Sequence, residues 1–108
     1  MTLAEKKCIP CETKDLPLDR AAVEVFLKET PDWRLDADAK KISRTFRFKN
    51  FKEALAFANK VGTIAEAEGH HPDMLVKWGR VGIELSTHAI KGLSENDFIL
   101  AAKINALQ

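Results

Sequence analysis

Residues 50–69 read NFKEALAFANKVGTIAEAEG, and this stretch with its two flanks decides the fold. Phe51, Ala54, Leu55, Ala58, Val61, Ile64 and Ala65 recur at helical spacing, which predicts one long amphipathic helix running to about Glu68. Asn50 and Glu53 give an Asn-x-x-Glu start, a relative of the capping box, and Gly69 supplies a residue that tolerates the left-handed backbone at a helix end. Upstream, the pattern changes to two-fold. Ile42, Phe46 and Phe48 fall on one side of a strand, and Lys41, Ser43, Thr45, Arg47 and Lys49 on the other, with Arg44 as the one charge on the apolar side. The short run Trp33–Leu35 precedes the turn residues Asp36-Ala37-Asp38-Ala39 and predicts a hairpin partner for that strand. Downstream, Met74, Val76 and Trp78 alternate, Gly79 turns the chain, and Val81, Ile83, Leu85 and Thr87 alternate again. That is a second hairpin.

The outer helices carry their own start signals. Asp19 is an N-cap, Leu18 and Val23 occupy the staple positions, Ala22, Val23, Phe26 and Leu27 share one face, and Thr30-Pro31 ends the run. Near the C-terminus Ser94 and Asp97 cap a last helix with Leu93 and Phe98 as its staple. The predicted order is α-β-β-α-β-β-α: an α+β fold, with a four-stranded antiparallel sheet and helices packed on one face. Residues 1–17 are expected to form an irregular N-terminal arm and residues 18–108 a single domain.

Composition narrows the function classes. A chain of 108 residues with 45% hydrophobic and 31% charged residues is that of a globular domain. Its formal charge of +1 supplies no global field for nucleic acid, and the basic face Lys41, Arg47, Lys49 and Lys52 lacks interleaved exposed aromatics. No apolar run approaches the ~20 residues a spanning helix needs, and the first residues lack a signal-peptide core. No nucleic-acid or membrane partner and a cytoplasmic location are therefore expected. Cys8 and Cys11 form Cys-Ile-Pro-Cys, which is read as part of a plain arm, with a labile disulfide or partial metal binding as the other readings.

The chemistry-bearing residues gather in one place. All three histidines, His70, His71 and His88, fall at a helix-to-strand loop and at the end of the last strand, where His88 shares the polar side with Glu84 and Ser86 if alternation continues. Imidazoles give or take protons near neutral pH, so three of them can serve opposite ends of one reaction. Pro72 restricts His71 to extended backbone, and Glu66, a helical turn before His70, is placed to orient an imidazole. Spacing alone leaves other readings open: hydrogen-bonded surface histidines, or a three-histidine zinc site of hydrolytic type. Trp78 reads as a sheet-packing residue and Asp97 as a helix cap satisfying backbone donors.

Glu66-x-x-x-His70-His71-Pro72, followed by Trp78, Leu85-Ser86-Thr87-His88 and Gly92-Leu93-Ser94-x-x-Asp97, resembles the pterin-4a-carbinolamine dehydratase family over residues 31–107. The resemblance implies dehydration of 4a-hydroxytetrahydropterin to quinonoid dihydropterin, recycling a tetrahydropterin cofactor, with no metal or organic cofactor in the protein. It implies catalysis by His70, His71 and His88 with Glu66 in support. Pterin contacts are implied from Gly69, His70, His71, Ser86, Thr87, His88 and Ala89, and structural roles for Pro72, Trp78 and Asp97. It also implies assembly as a homodimer or homotetramer. The chain departs from the family pattern at Gly69, often Asp or Asn, at Met74, often aromatic, and at Ala89, Glu in animal members. The alternative is a non-catalytic pterin- or protein-binding module, including an accessory role in molybdenum-cofactor metabolism.

Overall fold

Each helix begins where a side chain can take an otherwise orphaned amide. Asp19 accepts from the Ala22 N–H at 2.9 Å and opens α1 (Arg20–Glu29). Asn50 accepts from the Glu53 N–H at 2.9 Å and opens α2 (Phe51–Glu68). Ser94 opens α3 (Glu95–Asn105), its own N–H donating back to Asp97 Oδ2 at 3.0 Å. The computed structural model describes residues 1–10 and 15–108, so Cys11, and with it any joint role of Cys8 and Cys11, lies outside the described residues.

Between the helices run β1 (Arg34–Leu35), β2 (Ile42–Arg47), β3 (Asp73–Lys77) and β4 (Arg80–Leu85). They form one antiparallel sheet in the order β1-β2-β4-β3, so the two hairpins meet along β2 and β4. The register sets Ile42 opposite Leu85 and Phe46 opposite Val81. All four are buried on the face the helices cover, together with Ile83. Val61 and Ala65 of α2 and Phe98, Leu100 and Ile104 of α3 complete that core. Phe57, outside the apolar series expected of α2, also turns inward, its ring 4.7 Å from Phe46 and 5.0 Å from Phe48. The α+β arrangement read from the sequence is the one observed.

Three expectations need correction. Arg44 is no intruder: its guanidinium stacks 4.2 Å over the Phe46 ring and donates to Asn105 Oδ1 and Gln108 Oε1, so its charge is satisfied at the edge of the core. Trp78 does not pack on the sheet within this chain; it sits in the two-residue turn between β3 and β4 and is 70% exposed. The arm is not wholly irregular, since Leu3–Glu5 form a 3-10 turn and Leu3 joins the core. No helix is long and apolar enough to cross a membrane among the described residues.

Candidate active site

Two chain reversals bring the histidines together. α2 ends at Gly69 with φ 65°, the left-handed conformation that costs glycine nothing, and the chain then runs through His70-His71-Pro72 into β3. Beyond β4, Thr87 pairs with Gly92, the Thr87 N–H donating to the Gly92 carbonyl at 2.8 Å. Gly92 is required here by space, because a Cβ would stand 2.7 Å from Pro17 Cβ. The loop so closed holds a 3-10 turn, His88–Ile90, so strand alternation stops before His88 and does not set its direction. His70, His71 and His88 border a single cleft of about 620 Å³, together with Gly69, Pro72, Ser86, Thr87 and Ala89. Every pterin-contact position implied by the resemblance thus lies on one cleft.

Two of the three imidazoles are bound to carboxylates. His70 Nε2 lies 2.6 Å from Asp97 Oδ1, with the His70 side chain 12% exposed and that of Asp97 fully buried. Asp97 Oδ2 accepts from the Thr87 hydroxyl at 2.8 Å and from the Ser94 N–H at 3.0 Å. The Thr87 oxygen in turn lies 2.7 Å from Ser94 Oγ, which donates because the Thr87 proton is already committed. A carboxylate only accepts, so the contact to Asp97 puts a proton on His70 Nε2 and leaves Nδ1 as the other ring atom. Asp97 is therefore more than a helix cap: it joins the start of α3 to the loop that carries His70. Its carboxylate lies 27 positions from His70, and no local pattern announces that pairing.

His71 turns to a different partner. Its Nε2 lies 2.7 Å from Glu66 Oε1, and both side chains are open to solvent, 63% and 80% exposed. Glu66 orients an imidazole as expected, and the imidazole is His71 rather than His70. His88 is exposed, and among the described residues no hydrogen bond or ion pair ties its ring. Thr87 borders the cleft but spends its hydroxyl on Asp97. Among the described residues no three His, Cys, Asp or Glu side chains converge in metal-holding geometry.

The remaining wall was not foreseen. Cys8, Ile9 and Pro10 of the arm border the cleft, with Glu68 and Asn96. The Cys8 N–H donates to Glu68 Oε1 at 2.8 Å, and that bond holds the Glu68 carboxyl below its ordinary value, with Lys103 at 3.6 Å assisting against the opposing effect of burial. The Cys8 thiol is pushed up to about 12, first by burial and then by the neighbouring Glu68 charge, so it stays protonated.

Comparisons with known proteins point to one family. The model of the family described as pterin 4 alpha carbinolamine dehydratase matches residues 16–107. A protein of Halorhodospira halophila is 50% identical over 107 residues, which span 99% of this chain and 98% of its own. Pterin-4-alpha-carbinolamine dehydratase 2, mitochondrial, of Arabidopsis thaliana is 51% identical over 110 residues, 98% of this chain and 59% of that longer one. A crystal structure of a transcriptional coactivator/pterin dehydratase from Brucella melitensis superposes with a TM-score of 0.80 at 31% identity, covering 84% of this chain and 97% of that one. The cleft that gathers three histidines on an α+β scaffold sits in a chain that belongs to the pterin-4a-carbinolamine dehydratase family.

Proposed function

We propose that the cleft binds a 4a-hydroxytetrahydropterin and removes water from it to give quinonoid dihydropterin. Family membership supports the substrate class, and one observation carries the chemistry: three imidazoles border one cleft, one of them backed by a buried carboxylate. In the reaction the C4a hydroxyl takes a proton and leaves as water. The N5 lone pair forms the C4a=N5 bond, and N5 gives up its proton. The step needs one acid and one base and transfers no electrons to a second partner, so side chains alone can run it.

His70 and His88 take those two roles. Asp97 holds the His70 tautomer, which leaves Nδ1 for substrate, and the untied ring of His88 can approach from the opposite loop. His71, with Glu66, holds the pterin and sets its tautomer. Gly69, Ser86 and Ala89 shape the walls, and Thr87 contributes through Asp97. The protein acts without metal or organic cofactor, in the cytoplasm, as a homodimer or homotetramer. Leu75, 60% exposed on the edge strand β3, and Trp78, 70% exposed in the turn that follows, support self-association along that edge.

The dehydration rate of purified wild type, His70→Ala and His88→Ala tests the reading. Each variant should lose roughly 10²- to 10⁴-fold in rate while remaining folded. Near-normal turnover in either folded variant refutes the acid–base roles. Pterin affinity without turnover in the wild type would instead make the chain a binding module.

A further inference from the structure

We propose that the N-terminal segment Cys8–Pro10 is a built wall of the substrate cleft, with Ile9 as an apolar contact that sets affinity for the pterin and Asn96 as the residue that positions it. The inference rests on the pterin reading above and adds to it the part of the chain that the histidine constellation does not reach.

The arm is anchored at several points between Leu3 and Ile9. Leu3 is 3% exposed inside the core, and Lys103 Nζ donates to the Ala4 carbonyl at 2.8 Å. Lys6 pairs with Glu95 at 2.6 Å, and the Cys8 N–H donates to Glu68. Asn96 then grips Ile9 from both sides: its Oδ1 accepts from the Ile9 N–H at 2.9 Å, and its Nδ2 donates to the Ile9 carbonyl. Asn96 is only 7% exposed, so this clamp works away from water, where an amide left unmatched costs most.

The result is specific in direction. Adjacent residues on the first turn of α3 hold the two sides of the cleft, Asn96 the arm and Asp97 the His70 ring. Ile9 is fixed at its backbone, borders the cleft and keeps 72% of its surface exposed. An isoleucine held in the open at the rim of a cleft gains from being covered by a flat, partly apolar ligand. Because the described segment Cys8–Pro10 brings no carboxylate, imidazole or amine side chain to the cleft, its contribution falls on binding and leaves the chemical step alone.

Steady-state dehydration kinetics and equilibrium titration with 7,8-dihydrobiopterin, on the full chain, test this. Ile9→Asp should raise KM and weaken the titrated affinity roughly tenfold, with kcat within about twofold of wild type. Asn96→Ala should move the same two quantities in the same direction and speed hydrogen exchange at the Ile9 amide, a signature that a general loss of stability would not confine to the arm. Should Asn96→Ala fail to fold, Ile9→Asp, at an exposed position, still decides the matter. Unchanged KM and affinity in Ile9→Asp, or a loss confined to kcat, overturns the proposal while the pterin reading stands. A wild type that neither binds nor turns over the pterin overturns both.

Discussion

Among the described residues, two imidazole–carboxylate pairs have almost the same length, 2.6 Å for His70–Asp97 and 2.7 Å for His71–Glu66. They differ in what surrounds them. The first has a fully buried carboxylate that also ties down Thr87 and Ser94; the second has both members in solvent. Distance alone would rank them equal. Physics does not: an exposed pair is screened by water and salt and pays side-chain entropy to stay formed, whereas a buried carboxylate that loses one of its three donors keeps its charge away from water with less to balance it. Under the proposed reaction, Asp97 fixes the ring that moves the proton, and the exposed pair takes a looser, substrate-facing role.

The largest expected effect comes from Asp97→Ala. It orphans the His70 ring, the Thr87 hydroxyl and the Ser94 amide together, and should cost about 2–4 kcal/mol of stability. For a domain of this size that is a fall in Tm of roughly 10–20 °C, and turnover should drop about 100-fold or more in the fraction that folds. A smaller and sharper test is a pair of double-mutant cycles followed by chemical denaturation. The cycle of His70→Ala with Asp97→Ala should give a coupling above about 1 kcal/mol, and that of His71→Ala with Glu66→Gln no more than about 0.5 kcal/mol, fading as salt is raised. Equal couplings would erase the distinction.

The smallest effect extends the contrast to the arm. Glu68 titrates below its ordinary 4.5, mainly because the Cys8 N–H donates to it. A lowered folded-state value means its charge stabilises the fold above the unfolded value and loses that effect as pH falls through the folded one. Wild type should therefore melt above Glu68→Gln at neutral pH, and the gap should close as the pH drops below 4.5. A gap that is constant with pH would show that the carboxylate charge has no part in holding Cys8.

What was legible in the sequence was what is local. Asp19, Asn50 and Ser94 start helices by bonding a residue three positions on, and the alternation of β2 and β4 follows from which neighbours face the core. The histidines could be grouped because helix end and strand end are readable punctuation. Their partners were legible only in part: Glu66, in the last turn of the helix that leads to His70, could be read, and Asp97 could not. Asp97 carries the same short motif whether it only caps α3 or also holds His70, and Arg44 looks like a charge on the wrong face until Asn105, 61 positions away, arrives to accept from it. His88 escaped the alternation rule because the Thr87–Gly92 pairing bends the chain into a 3-10 turn. Leu3 and Ile9 gave no periodic signal, since three residues of 3-10 helix and a pinned extended segment are too short to show one. Trp78 shows the reverse error: an aromatic in a strand pattern need not face the core when it falls in the turn.

The proposed division of labour has the buried pair hold the imidazole that transfers a proton, while the exposed pair transfers none. It is met most directly by measuring kcat for carbinolamine dehydration in His70→Ala beside His71→Ala, with both variants shown to be folded by their melting curves. His70→Ala should lose about 100-fold or more in kcat, and His71→Ala should change by less than about tenfold with most of the effect in KM. A His70→Ala enzyme that keeps its kcat, or a His71→Ala enzyme that loses as much as its neighbour, would contradict it.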